Sequence, residues 1–208
     1  MKYIFFIDFD GTITNKDTCE EIIETFCDNR GKEINEKWEN KEISTEECAR
    51  QIFNLFSMTH QDLFCLLDNI RIDPYFPQFV QLCNKKGHNI YIISDGYNLI
   101  IQYLLQKNRL SNLPFFANNL IIKEGRCFIK FPYKNEKCGK CGTCKKRLLI
   151  SFKSKKFRTV YIGDGFSDTC ACQEADLVFA KNNLLAFCQK KGIPAISFNS
   201  FYDVLRYI

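Results

Sequence analysis

The chain has 208 residues, of which 46% are hydrophobic and 25% are charged. This composition suits one globular core with an insertion and excludes an intrinsically disordered protein. No run of about 18 apolar residues occurs, so we expect no membrane span, and residues 1–7 are too short to form a signal peptide. The net charge of +5 arises partly from basic runs at 145–147 and 153–158. We interpret these runs as solvated helix faces and expect no nucleic-acid partner.

Twelve cysteines are present. That number would fit disulfides in a secreted protein, but no export signal accompanies them. We therefore expect a cytoplasmic protein with reduced thiols. Most of the cysteines stand singly within helical or strand patterns, which is typical of small packed side chains.

The first element is a strand over residues 3–7, which are all apolar or aromatic, as in a strand buried on both faces of a parallel sheet. Asp8 and Asp10 follow at its carboxyl end, where open α/β sheets place their ligands. The two-residue period of a strand sends both carboxylates the same way. Carboxylates this close repel each other unless a cation lies between them or one is protonated.

The next part of the chain is helical. No strand pattern occurs from about residue 15 to residue 75, and three helix-start patterns recur there: Thr18-x-x-Glu21, Ser44-x-x-Glu47 and Thr59-x-x-Asp62. We predict an all-helical insertion over 15–85, with a core domain formed by 1–14 and 86–208. A helix over Pro74–Lys86 leads back into that core.

Buried strands return after the insertion. The run Ile90–Ile93 predicts a second strand with Ser94 at its carboxyl end, and 159–163 predicts another that leads to Asp164 and Asp168. Between them we predict a helix over Tyr97–Asn108, a hairpin of 115–122 and 127–131 with Gly125 in its turn, and a helix over Lys145–Phe152. A helix after Asp168, a strand over 177–179 and helices over 184–189 and 200–208 complete the chain.

A cysteine cluster precedes Lys145. Cys138, Cys141 and Cys144 form a Cys-x₂-Cys-x₂-Cys pattern, and such spacing is common in structural zinc sites. Cys127, on the predicted hairpin, is the best candidate for a fourth ligand. Free thiols and a regulatory disulfide are the alternatives, and nothing else in the sequence indicates an iron–sulfur protein.

The acidic pair, Ser94, Lys145 and the second acidic pair resemble, in order and in strand context, the four motifs of the haloacid dehalogenase superfamily of phosphotransferases. The resemblance implies an α/β fold: a Rossmann-like doubly wound parallel sheet with an inserted all-helical type 1 cap. It implies an enzyme, a phosphoric monoester hydrolase that depends on Mg²⁺.

The resemblance also implies a role for each motif. Asp8 is the nucleophile that forms an aspartyl-phosphate, and Asp10 is the general acid and base. Ser94 and the amides of Asp95 and Gly96 bind phosphate, and Lys145, preferred over Lys146, balances charge. The implied Mg²⁺ ligands are Asp8, the Asp10 carbonyl and Asp164, with Asp168 binding directly or through water.

Two subfamilies are similar in detail. The stretch 116–121 and the Gly-Asp-Gly at 163–165 resemble phosphoserine phosphatases. The arginine that those enzymes use for the substrate carboxylate falls at Ile52 here, with Arg50 half a turn away, and a glutamate near the substrate amine corresponds to Asp17. We take Asp17 and Arg50 as the candidate specificity residues.

The stretch 9–14, Asp17, the cysteine-rich segment and Phe131-Pro132 resemble more closely the bacterial 2-hydroxy-3-keto-5-methylthiopentenyl-1-phosphate phosphatases of methionine salvage. The implied partner is a small phosphorylated metabolite, handled by a monomer or homodimer. Phosphoserine, phosphocholine and phosphoethanolamine phosphatases are alternatives, and a non-catalytic metal- or ligand-binding protein on the same fold is a remote one.

Overall fold

The computed structural model describes residues 1–208 and contains seven strands. They are β1 (Tyr3–Ile7), β2 (Asn89–Tyr97), β3 (Phe115–Lys123), β4 (Arg126–Lys130), β5 (Arg158–Gly163), β6 (Leu177–Ala180) and β7 (Ile196–Ser197). They form one sheet in the order β4-β3-β2-β1-β5-β6-β7. All pairs are parallel except the β3–β4 hairpin, whose turn has Gly125 at φ +75°, as predicted.

The chain contains nine α-helices: α1 (Thr18–Phe26), α2 (Asn29–Glu39), α3 (Thr45–Phe53), α4 (His60–Leu67), α5 (Phe76–Lys86), α6 (Asn98–Lys107), α7 (Lys145–Phe152), α8 (Asn182–Lys191) and α9 (Phe201–Leu205). The sequence predicted a helix after Asp168, but the chain forms a short 3₁₀ turn there, Cys172–Glu174, and another, Phe166–Asp168, that ends at Asp168 itself. No helix combines the length and the hydrophobicity that a membrane crossing requires.

The central strand β1 separates two hydrophobic layers. Phe5 and Ile7 pack in the larger layer with residues of α5, α6 and α9, whereas Ile4 and Phe6 pack in the other with residues of α7 and α8. This alternation follows from the two-residue period of a strand. Helices therefore cover both faces, and the predicted doubly wound α/β sheet is confirmed.

The helices α1–α4 form an all-helical insertion between β1 and α5, which we call the cap. The two connections to the cap are paired, because the Asn15 amide donates to the Arg71 carbonyl at 2.9 Å and the Asp73 amide donates to the Ile13 carbonyl at 2.8 Å. A small cluster of Ile23, Cys48 and Ile52 packs inside the cap.

Helix α5 belongs with the sheet, although the expected boundary at residue 85 assigned it to the insertion. Phe79 is fully buried and its ring lies 5.0 Å from the rings of both Phe5 and Phe201. The structure thus places the junction near Ile72, where the two connections pair with each other.

Candidate active site

The carboxyl ends of β1, β2 and β5 open into a cavity of about 840 Å³ beneath the cap. The core lines it with Asp8, Asp10, Ser94, Lys145 and Asp164, and the cap lines it with residues of α1, α2 and α3. The motif residues are far apart in the sequence. Parallel strands place them together because their carboxyl ends meet at one edge of the sheet.

Asp8, Lys145 and Asp168 form a buried charged group at the base of the cavity. Lys145 Nζ lies 2.7 Å from Asp8 Oδ1 and 2.7 Å from Asp168 Oδ1, and it donates to Ser167 Oγ at 2.9 Å. Burial tends to lower the pKa of Lys145, but the Asp168 and Asp8 carboxylates outweigh it and raise that pKa. Lys145 therefore stays positively charged. Lys146, the alternative considered from the sequence, pairs with Glu174 at the surface.

The Asp8 carboxylate has one occupied and one open oxygen. Both of its protein donors, Lys145 and the Phe9 amide at 2.7 Å, bind Oδ1. Oδ2 is left without a protein donor. Burial and the neighbouring Asp168 raise the pKa of Asp8 well above its usual range, so its charged form requires a cationic neighbour.

Asp10 is held by hydroxyl groups from the cap and the core. Its Oδ1 accepts from the Thr18 amide at 3.2 Å and from the Thr18 hydroxyl, and its Oδ2 accepts from Ser94 Oγ at 3.1 Å. Ser94 Oγ also accepts from the Gly96 amide at 2.9 Å. A Cβ at Gly96 would lie 2.4 Å from Asp10 Oδ2, so only glycine permits this approach.

The two carboxylates of the second acidic pair differ, because Asp164 remains accessible whereas Asp168 already accepts several hydrogen bonds. Asp164 Oδ1 accepts from the Thr12 hydroxyl at 2.7 Å, and burial raises the pKa of Asp164. Asp168 is fully buried. Besides Lys145, its donors are Tyr161 OH at 2.5 Å and the amides of Asp164 and Gly165, each at 3.0 Å.

The donor set at this edge fits a hard divalent cation. One oxygen from each of Asp8, Asp164 and Asp168 lies within 4.8 Å of the others, and carboxylate oxygens are preferred ligands of Mg²⁺. Because Asp168 already accepts four hydrogen bonds, Asp8 and Asp164 are the carboxylates with room for a cation.

The structure separates the two candidate specificity residues. Asp17 lines the cavity and caps α1, accepting from the amides of Cys19 and Glu20. Burial and the nearby Asp10 raise the pKa of Asp17 to about 7. Arg50, expected to contact substrate, lies outside this cavity: it pairs with Glu46 at 2.8 Å and sits 5.9 Å from the centre of the Phe131 ring. Helix α3 turns Cys48, Ala49 and Ile52 toward the cavity instead, which leaves Arg50 on another face.

The cysteine pattern, for which a structural metal, free thiols and a disulfide were the alternatives, is not gathered into a group of metal ligands in this structure. The three acidic residues are the one group of potential ligands close enough to hold an ion, and none of Cys127, Cys138, Cys141 and Cys144 belongs to it. Burial, with smaller contributions from Asp95 and Cys138, raises the pKa of Cys141 to about 12, which favours a neutral thiol. All twelve cysteines are unpaired.

Two site residues were not expected from the sequence alone. Thr18 was interpreted as the helix cap of α1, but Asp17 is the cap and Thr18 turns inward to Asp10. Lys181, between β6 and α8, lines the cavity together with Lys16 and Lys145. A cation directly after a predicted strand was the available signal for Lys181.

Comparison with known proteins agrees with this geometry. The family model described as "Putative Phosphatase" matches residues 3–190. The chain is 33% identical to a 2-hydroxy-3-keto-5-methylthiopentenyl-1-phosphate phosphatase of Bacillus cytotoxicus, over 98% of this chain and 94% of the relative. It is also 33% identical to the Bacillus mycoides protein of that name, over 99% and 95%.

Solved structures share the fold. A phosphoserine phosphatase structure titled as a phospho-aspartyl intermediate analogue superimposes with a TM-score of 0.77 at 21% identity, covering 100% of this chain and 99% of that one. A phosphoserine phosphohydrolase-like protein from Francisella tularensis superimposes with a TM-score of 0.70 at 19% identity, covering 100% of both chains.

The capped doubly wound sheet, with an acidic pair, a serine, a lysine and a second acidic pair at one edge, defines a phosphatase of the haloacid dehalogenase superfamily. Within that class, the chain belongs to the "Putative Phosphatase" family. It is a phosphoric monoester hydrolase.

Proposed function

We propose that this enzyme hydrolyses a small phosphate monoester through an aspartyl-phosphate on Asp8. Oδ2 of Asp8 forms a bond to phosphorus as the bond from phosphorus to the ester oxygen breaks, and Asp10 gives a proton to the departing alcohol. Water then attacks phosphorus and loses a proton to Asp10, which releases inorganic phosphate and restores Asp8. The observation that carries this proposal is the open Asp8 Oδ2 beside a fixed Oδ1 and a hydroxyl-held Asp10.

The remaining motif residues would bind and orient the phosphate. The Ser94 hydroxyl, which donates to Asp10 in this structure, would donate to a phosphate oxygen instead, as would the amides after it. Lys145 would offset part of the negative charge of Asp8 and of the approaching phosphate. Asp8, Asp164 and the Asp10 carbonyl would hold Mg²⁺, with Asp168 supporting them. When bound, this ion supplies positive charge that offsets the charge of the transferred group.

The cavity walls favour a substrate without a carboxylate. No arginine lines the cavity, whereas Asp17, Glu20 and Glu39 do, together with apolar side chains of the cap such as Ile52 and Phe53. A carboxylate substrate would meet like charge there and would lack the arginine that phosphoserine phosphatases use to bind it. We therefore propose 2-hydroxy-3-keto-5-methylthiopentenyl 1-phosphate, whose organic part is uncharged, as the substrate, and methionine salvage as the setting.

One alternative has specific support. The side chains of Asp17, Glu20 and Glu39 line the same cavity as three aromatic side chains, Trp38, Phe53 and Tyr97. Carboxylates together with aromatic rings attract organic cations. Phosphocholine or phosphoethanolamine is therefore the second candidate. The twelve unpaired cysteines support a reducing compartment such as the cytoplasm.

Phosphate release from a panel of esters, with and without Mg²⁺, tests the proposal. The panel contains the methylthiopentenyl ester, phosphocholine, phosphoethanolamine, phosphoserine and p-nitrophenyl phosphate. We expect Mg²⁺-dependent release, fastest on the methylthiopentenyl ester. Asp8→Asn should lose at least about 10³-fold in kcat, because an amide cannot form the intermediate.

Each result of the panel has a distinct meaning. Preference for phosphocholine would replace the substrate but keep the mechanism. Near wild-type turnover by Asp8→Asn would overturn the nucleophile assignment. Arg50→Ala serves as the matched control outside the cavity, and its kcat/KM should stay within about twofold of wild type.

A further inference from the structure

Asp95 lies between the phosphate-binding residues Ser94 and Gly96, yet its carboxylate is engaged elsewhere. Oδ1 accepts from the Thr143 amide at 2.7 Å and Oδ2 accepts from the Thr45 hydroxyl at 3.1 Å. Asn118 Nδ2 donates to the Asp95 carbonyl at 2.6 Å. With these partners, the side chain is not available as a phosphate ligand.

These bonds join three separate parts of the molecule. Thr45 is the first residue of cap helix α3, and Thr143 stands two residues before Lys145, whose amide donates to the Thr143 carbonyl at 2.9 Å. Asp95 itself belongs to β2, next to Ser94. One carboxylate thus connects the cap, the phosphate-binding turn and the start of the helix that carries Lys145.

Further contacts hold the same corner of the cap. The Thr45 amide donates to the Lys140 carbonyl at 3.1 Å, and Lys134 Nζ lies 2.6 Å from Glu46 Oε2. The Trp38 indole of α2 donates to Thr45 Oγ1 at 3.0 Å. The Thr45 hydroxyl therefore accepts from one cap helix while it donates to the core.

The loop before Lys145 is fitted closely to this network. Thr143 Oγ1 donates to Asn118 Oδ1 at 3.1 Å. A Cβ at Gly142 would lie 2.7 Å from the Asn118 amide atoms. Because Thr143 is bonded both to Asp95 and to the Lys145 amide, a shift of Asp95 would be passed through Thr143 to Lys145.

From this network we propose that Asp95 is a positioning residue that couples closure of the cap to alignment of Ser94 and Lys145. With the cap closed, the Thr45 hydroxyl completes the shell of donors around the carboxylate. With the cap open, Oδ2 loses the Thr45 donor while Oδ1 keeps its partner Thr143, and a buried carboxylate oxygen left without a donor is drawn toward water. Ser94 and Lys145 are then aligned for phosphoryl transfer only when the cap covers the site and excludes solvent from it. The inference rests on the phosphatase activity but not on the identity of the ester.

Thr45→Val tests the coupling, because valine keeps the shape of threonine and removes the hydroxyl. We expect kcat for p-nitrophenyl phosphate to fall about tenfold while KM changes by less than about twofold. Thr45→Ser, which keeps the hydroxyl, should recover most of the loss. Gln51→Ala, on another face of α3, serves as the control for a general effect on that helix.

A second readout needs no turnover. The chain has one tryptophan, and its indole is tied to the same hydroxyl, so Trp38 emission reports on this corner directly. Thr45→Val should raise the acrylamide quenching constant of Trp38 at least about twofold, and Gln51→Ala should not. An unchanged quenching constant together with unchanged kcat would overturn the proposal. If no ester is turned over by the wild type, quenching alone decides it.

A double-mutant cycle distinguishes coupling from two independent effects. In the Asp95→Ala background, Thr45→Val should lower kcat by less than about twofold, since the partner is already gone. Additive losses would show that Thr45 does not act through Asp95. Should Asp95→Ala fail to fold, the Thr45 variants still test the proposal.

Discussion

Asp10 shows how a single residue depends on the closing of the cap. One of its oxygens is held by Thr18 at the start of α1, and the other is held by Ser94 in the core. A general acid and base must present its proton in a fixed direction, and hydrogen bonds to both oxygens set that direction. In the proposed mechanism, the cap therefore contributes to the proton transfer by Asp10 as well as to substrate binding.

Replacing Thr18 by valine tests this contribution. The valine keeps the backbone amide bond to Asp10 but loses the hydroxyl, so Asp10 gains freedom without losing its other partners. We expect kcat to fall about tenfold, which corresponds to about 1.4 kcal/mol, near the lower end of the range for one hydrogen bond to a charged group. Steady-state kinetics on the best ester measure this, with Thr18→Ser as the variant that retains the hydroxyl. Equal loss in both variants would mean that packing, and not the hydrogen bond, is the cause.

At the scale of elements, helix α5 fixes the junction between core and cap. The Phe79 side chain is fully buried between β1 and α9, so the helix gains its stability from the sheet. Such burial makes α5 the rigid base from which the paired connections at Asn15 and Arg71 carry the cap.

Truncation of Phe79 should therefore destabilise the core. We expect Phe79→Ala to lower the free energy of unfolding by about 3–5 kcal/mol, through lost burial and the cavity left behind. Phe128→Ala is the matched control, because Phe128 is 51% exposed on the edge strand β4, and its change should stay within about 0.5 kcal/mol. Urea unfolding followed by circular dichroism measures both. A small loss of stability in Phe79→Ala would contradict the assignment of α5 to the core and would favour its assignment to the cap.

Elements with strong local signals could be predicted from the sequence. The buried apolar runs of β1 and β5, the hairpin with Gly125 and the capping box at Thr59 and Asp62 were all recognisable, because short-range chemistry determines them. The capping residue of α1 was not. Asp17 and Thr18 are both good caps, and the choice between them depends on Asp10, which lies close only in the folded chain.

The same limit applies to the sites. The sequence was enough to predict that the acidic and basic motif residues lie close together, because the carboxyl ends of parallel strands meet at one edge of the sheet. The direction in which α3 turns Arg50 and the spacing of the cysteines depend on tertiary packing, and the sequence does not encode either one locally. The Asp95 network joins the cap to the core in the same non-local way.

At the scale of the whole molecule, the active site is a buried excess of negative charge. Asp8 and Asp168 share one lysine, Lys145, and Asp164 lies close to both carboxylates. Burial raises the pKa of Asp8 and of Asp164, although the nearby Lys181 opposes the rise at Asp164. A carboxyl group whose pKa is higher in the folded state than in the unfolded state binds more protons when folded. Its contribution to stability therefore falls as the pH rises from the unfolded pKa through the folded pKa. The apo protein thus gives up stability to keep a site for a cation.

Mg²⁺ should restore that stability, and more strongly as the pH rises, because it binds the ionised carboxylates and competes with protons. At about 100 times its Kd, we expect about 2.7 kcal/mol and a rise in Tm of about 5–10 °C at about pH 8, with a smaller rise at about pH 5.5. Thermal unfolding with and without MgCl₂ measures this without any substrate. Asp164→Asn should lose most of the shift, whereas Glu33→Gln, an exposed acidic residue on α2, should keep it. A shift that is the same at both pH values, or one that survives in Asp164→Asn, would place the ion elsewhere.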